Sequence, residues 1–114
     1  MDLRDRIAGL MGQARAELAE LVAIPSVADP RQYPPEECAR AARWVRDAFA
    51  GAGFSDAWLA EMADGSQAVL GSRGFTDPDA PTVLLYAHYD VQPPLDEASW
   101  RTPPFELTEV DGRW

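Results

Sequence analysis

At 114 residues the chain has the length of one ordinary domain, enough to bury a core without disulfides or a structural metal. Its composition, 46% hydrophobic and 25% charged, is globular and argues against a disordered tail. A formal net charge of −9 repels nucleic acid and anionic lipid, so neither is an expected partner.

The first predicted element is a helix. Leu3, Ile7, Leu10, Met11, Ala14, Leu18, Leu21 and Val22 recur at steps of three and four, with Arg4, Asp5, Arg15, Glu17 and Glu20 off the stripe. Pro25 should end it by Ile24, because the residue before a proline is disfavoured in helical geometry. The stretch from Pro25 to Pro35 then reads as an ordered, proline-rich loop. Pro34-Pro35-Glu36-Glu37 opens a second helix, with proline and acidic groups suited to a helix start. Cys38, Ala41, Val45, Ala48, Phe49 and Ala52 mark its expected buried face, and Gly51 and Gly53 are placed to cap it. Both helices read as packing elements.

From Phe54 the period changes. Residues 57–62 and 68–71 are strand-like, separated by the turn pair Asp64-Gly65. Residues 74–81 read as a polar turn. The run Thr82-Val83-Leu84-Leu85-Tyr86-Ala87 is continuously apolar, which predicts a central strand buried on both faces. A proline-flanked acidic loop follows, then a short strand over Phe105–Thr108, and Asp111-Gly112 to turn the chain back. The expected fold class is α/β: two helices packed on a mixed sheet, within one domain over 1–114.

One cysteine, Cys38, excludes an intrachain disulfide and a thiolate zinc cluster. The first residues alternate charged and apolar groups where a secretory signal would be uniformly apolar, and the run at 83–87 is too short to cross a bilayer. The expected compartment is the cytoplasm, with no membrane partner.

The chemistry concentrates in Ala87-His88-Tyr89-Asp90-Val91. His88 is the single histidine of the chain, placed after the most apolar predicted strand, where α/β folds collect ligands. With extended geometry, His88 and Asp90 face the same side. A carboxylate there fixes the imidazole tautomer and leaves the other nitrogen to a metal. Taken alone, His-x-Asp has an ordinary reading as a loop histidine bonded to its neighbour. A Ser-His-Asp triad lacks a nucleophile-elbow context at Ser26, Ser55, Ser66, Ser72 or Ser99. Cys38 sits on a predicted buried face, which argues against a Cys-His pair. A two-carboxylate site stays open in composition, but no feature selects a pair.

Four segments together resemble a known family. They are Leu21-Val22-Ala23-Ile24-Pro25-Ser26-Val27, the run Val83 to Pro93, Trp100-Arg101-Thr102-Pro103-Pro104-Phe105-Glu106-Leu107, and Asp111-Gly112-Arg113. In order and spacing they are similar to the N-terminal part of the dinuclear-zinc metallopeptidases, which include carnosine dipeptidase, aminoacylase and glutamate-releasing carboxypeptidases. The resemblance covers nearly the whole chain. Val91-Gln92-Pro93 and the Trp100 to Phe105 segment look most like the dipeptidase branch.

The resemblance implies a partial catalytic domain over 1–114, belonging to an α/β enzyme that also has a lid and dimerisation domain and is often a homodimer through it. It implies that His88 is a metal ligand and that Asp90 is the catalytic-site aspartate that orients it. Two zinc ions per complete site are implied, replaceable by manganese or cobalt, with a small peptide as substrate. In such enzymes a zinc-activated water attacks the scissile carbonyl while a glutamate takes its proton. The family's remaining acidic ligands, glutamate pair and late histidine match nothing up to Trp114, and a catalytic zinc needs about three protein ligands. The 114 residues are therefore expected to be inactive alone. The competing expectations are a non-catalytic α/β remnant or interaction module, and an unrelated α/β protein containing His-x-Asp.

Overall fold

The computed structural model describes residues 1–74 and 76–114. Phe75, inside the expected polar turn, lies outside the described residues; Asp77 organises a turn beyond it, accepting from the backbone N–H of Asp79 at 2.9 Å and of Ala80 at 3.2 Å. The protein is α/β, with two α-helices and a two-stranded antiparallel sheet. It divides into two compact units, Met1–Pro25 with Pro93–Trp114, and Ser26–Gln92.

In the first unit, α1 runs over Leu3–Val22. Asp2 caps it by accepting the Arg4 backbone N–H at 2.8 Å, which satisfies one of the free donors at a helix start. Its end two residues before Ile24 agrees with the expected effect of Pro25. The apolar stripe is not covered, however: Leu3, Ile7 and Leu10 are 69%, 51% and 58% exposed. The helix forms on its own cap and periodicity, and among the described residues nothing lies over most of that face. Arg15 reaches Glu109 at 3.1 Å and lies 5.9 Å from the Trp114 ring centre, tying α1 to the C-terminal segment. Asp96 caps a short 3-10 turn at Glu97–Ser99, and the Trp100 indole N–H donates to Pro94 O at 2.9 Å.

The strand expected over Phe105–Thr108 is absent. Pro103 and Pro104 cannot donate to a ladder, and the Glu106 N–H turns back onto Pro103 O at 3.2 Å. The expected reversal at Asp111-Gly112 is present. Both residues have positive φ, 51° and 74°, and Val110 and Arg113 exchange hydrogen bonds of 2.9 and 3.0 Å across them, the geometry of a tight hairpin turn.

In the second unit, the proline-rich loop is ordered by Asp29. Its carboxylate accepts from the Arg31 and Gln32 side chains and from the Arg31 backbone, and these bonds hold the carboxyl far below its usual range. Helix α2 spans Pro35–Gly51 with Pro34 as N-cap. It ends in a Schellman motif: Phe54 N–H bonds Phe49 O at 3.0 Å and Gly53 N–H bonds Ala50 O at 3.1 Å. Gly53 takes φ +95° there, and the Phe49 and Phe54 rings meet at 5.8 Å, the apolar contact that accompanies this cap. Of the predicted face, Ala41 is fully buried, joined by Ala42, while Phe49 remains 36% exposed.

Strands β1 (Trp58–Glu61) and β2 (Gln67–Leu70) form the expected hairpin, in the register Trp58↔Leu70 to Glu61↔Gln67. Asp64 closes the turn through Ser66. Asp56 closes the open end, accepting Ser72 N–H at 2.7 Å and its hydroxyl at 2.5 Å. Helix α2 packs on both strands. Just past β2, a Cβ at Gly71 would make a tight contact, 3.3 Å from Phe54 Cβ.

The central strand expected at Val83–Ala87 is corrected by the structure. No strand forms there, and Val83, Leu84, Leu85 and Tyr86 are 73–90% exposed. A strand buried on both faces requires a neighbour on each edge and a layer on each face. Among the described residues, no partner strand pairs with this run.

Candidate functional site

Although His88 and Asp90 do not continue a strand, they meet. His88 Nδ1 lies 2.9 Å from the Asp90 backbone O and 3.1 Å from its carboxylate Oδ1. Both partners are acceptors, so the hydrogen belongs on Nδ1, and Nε2 is left free of both. The His88 side chain is 73% exposed and that of Asp90 50%. The arrangement is the one in which a carboxylate holds a histidine with its second nitrogen available to a metal.

Three bonds fix the backbone that carries the pair. The Ser26 hydroxyl donates to Tyr89 O at 2.8 Å. The Val91 N–H donates to Ser26 O at 3.0 Å, within an isolated parallel bridge between Val27 and Val91. The Tyr89 hydroxyl donates to Gln67 O on β2. Ser26 is 1% and Val27 2% exposed, so the residues 26–27 lie in the core of this unit and the loop rests on them. In the sequence Ser26 stands in one of the family-like segments, with no role of its own. Its partner lies 63 positions away, and no local pattern encodes that contact.

Cys38 is half-buried. Burial first, then the charges of Asp90 and Glu37, raise its thiol above the ordinary value. A nucleophilic cysteine needs the opposite environment, so the Cys-His reading fails on electrostatics as well as on placement. Tyr89 is raised too, by burial first and then by the charges of Cys38 and Asp90. A groove of about 460 Å³ in the same unit is lined by Val27, Pro35, Cys38, Gln67 and Tyr89 among others. His88 and Asp90 do not line it.

The donor set is small. Among the described residues no group of three or more histidine, cysteine or acidic side chains comes together to hold a metal ion. His88 and Asp90 fit one corner of a metal centre and do not make a whole one. Asp96, the next acidic side chain along the chain, is engaged in capping its own turn.

No family model and no solved structure matches the chain. Curated proteins do. It is 36% identical over 106 residues to the cysteinylglycine-S-conjugate dipeptidase of Corynebacterium striatum, covering 86% of this chain and 21% of that protein. It is 35% identical to the Cys-Gly metallodipeptidase of Candida albicans, covering 92% of this chain and 24% of that protein. With the Beta-Ala-His dipeptidase of Mus musculus it shares 39% identity over 87 residues, 73% of this chain and 18% of that protein. The chain thus spans roughly a fifth to a quarter of the length of these relatives. The resemblance read from the sequence is borne out by these matches: several curated dipeptidases are similar to this chain over most of its length, consistent with a stretch of sequence from the dipeptidase branch.

Proposed function

We propose that this chain is part of the catalytic domain of a metal-dependent dipeptidase, and that it contributes His88 as a metal ligand and Asp90 as the aspartate that orients it. The observation that carries the reading is the bond from His88 Nδ1 to Asp90 at 3.1 Å, found where the chain matches dipeptidases. Asp90 sets the tautomer and keeps Nε2 directed away from itself. The remaining ligands and the general base come from sequence outside this stretch, and the substrate is a small peptide. Zinc is the expected metal, manganese or cobalt being alternatives, and bound metal would lower the pKa of an attacking water. The expected compartment is the cytoplasm; no helix among the described residues is long and apolar enough to cross a membrane.

A chimera tests this directly. Residues 1–114 replace the matching stretch of the Corynebacterium striatum dipeptidase, and peptide hydrolysis is measured with His88 intact and as His88→Ala. The proposal predicts activity in the first and its loss, by at least about a hundredfold, in the second. Activity that survives His88→Ala contradicts it.

A further inference from the structure

We infer that Ser26 is a positioning residue for the His88–Asp90 pair, acting as a two-sided clamp on the backbone between them. The inference rests on the reading of His88 as a metal ligand. Its hydroxyl donates to Tyr89 O at 2.8 Å, and its own carbonyl receives the Val91 N–H at 3.0 Å. The two bonds grip the chain on either side of Asp90. What they fix is the turn that brings Asp90 O to 2.9 Å from His88 Nδ1, because that carbonyl belongs to the peptide group ending in the Val91 N–H. The Tyr89 hydroxyl on Gln67 O holds the same residue from its side-chain end, against β2. His88 itself is 73% exposed, so packing covers only a small part of it. Its geometry is set through the backbone, and Ser26, at 1% exposure, is the buried group that sets it. A serine suits this place because it is small enough for the core and carries one donor for a carbonyl that a sheet does not satisfy.

The single histidine makes the test unambiguous. Long-range 1H–15N spectra of the 114-residue chain report which ring nitrogen of His88 carries hydrogen, at about pH 8.5, two units above the ordinary imidazole value. The wild type is expected to be mainly the Nδ1–H tautomer. Ser26→Ala should raise the share of the Nε2–H form, which unconstrained imidazole prefers, by at least about threefold, with Ser26→Cys, a weaker donor of similar size, between them. A merely structural serine would lower the melting temperature without moving this ratio. If Ser26→Ala loses its dispersed backbone spectrum, Ser26→Cys alone carries the comparison. An unmoved tautomer ratio in a folded variant overturns the inference. Cobalt(II) added to the wild type in large excess, because a single imidazole holds a metal weakly, reads the ligand assignment separately, through paramagnetic broadening of the His88 Cε1–H resonance. A tautomer shift without broadening refutes the ligand reading and leaves the clamp; broadening with an unmoved tautomer refutes the clamp and leaves the ligand.

Discussion

His88 Nδ1 is bonded to the backbone oxygen of Asp90 as well as to its carboxylate, at 2.9 and 3.1 Å. Two acceptors on one nitrogen make the tautomer robust to loss of the carboxylate alone. Asp90→Asn should therefore keep Nδ1–H as the dominant form, whereas Asp90→Gly, which also frees the backbone, should not. The same long-range 1H–15N spectrum checks both variants. An Asp90→Asn chain with mostly Nε2–H would show that the carboxylate, not the backbone, holds the ring.

Asp56 gives a pH dependence with a definite sign. Bonds from the Ser72 hydroxyl and backbone lower its carboxyl below the ordinary value, so the folded chain binds a proton there less readily than the unfolded chain. The contribution is complete above the unfolded carboxylate value, about 3.9, and is lost as pH falls through it toward the lower folded value. Asp56→Asn should flatten this acid limb and open the 58–70 hairpin end. Hydrogen exchange of the Ser72 amide checks it: faster exchange in the variant is expected, and equal protection would contradict the account.

Gly53 holds φ +95° at the end of α2, a region where an L side chain costs about 1–2 kcal/mol. The Arg73 guanidinium lies 3.4 Å from where a Cβ would stand, and as the far end of a flexible side chain it can move aside. Gly53→Ala should destabilise the Ser26–Gln92 unit by about 1 kcal/mol, read from denaturant unfolding. No change would mean the cap is not formed in solution.

Cys38 should be a slow thiol. Burial, Asp90 and Glu37 all raise its value, so at about pH 7.5 it should react with iodoacetamide several-fold more slowly than free cysteine. Faster reaction would reopen a nucleophilic role.

The run Val83–Tyr86 is apolar, uncharged and 73–90% exposed, the pattern of a strand ready to pair with another chain. The 114-residue chain should associate with rising concentration, and Leu84→Asp with Leu85→Asp should suppress it. Light scattering that shows a monomer at all concentrations would contradict this.

Local signals produced local structure. Pro25, Pro34-Pro35, Gly53, Asp64-Gly65 and Asp111-Gly112 each act through the φ of one or two residues, and each is found where it was expected. The His88–Asp90 contact was also legible, being only two positions long. What failed was everything that depends on a distant partner. The 82–87 run reads as a buried strand because hydrophobicity records what a segment needs, not whether a neighbour is at hand. The same holds for the uncovered stripe of α1, and for Ser26, whose contact spans 63 positions.

The central claim is that these residues supply one corner of a dipeptidase metal centre and not a working site. Hydrolysis of a dipeptide panel by the purified 114-residue chain, supplied with zinc or manganese, tests it most directly. One imidazole and one carboxylate already engaged in orienting it leave a metal weakly held and a water without a base. The account predicts turnover no greater than that of His88→Ala. Robust turnover by the wild type, abolished by His88→Ala, would contradict it.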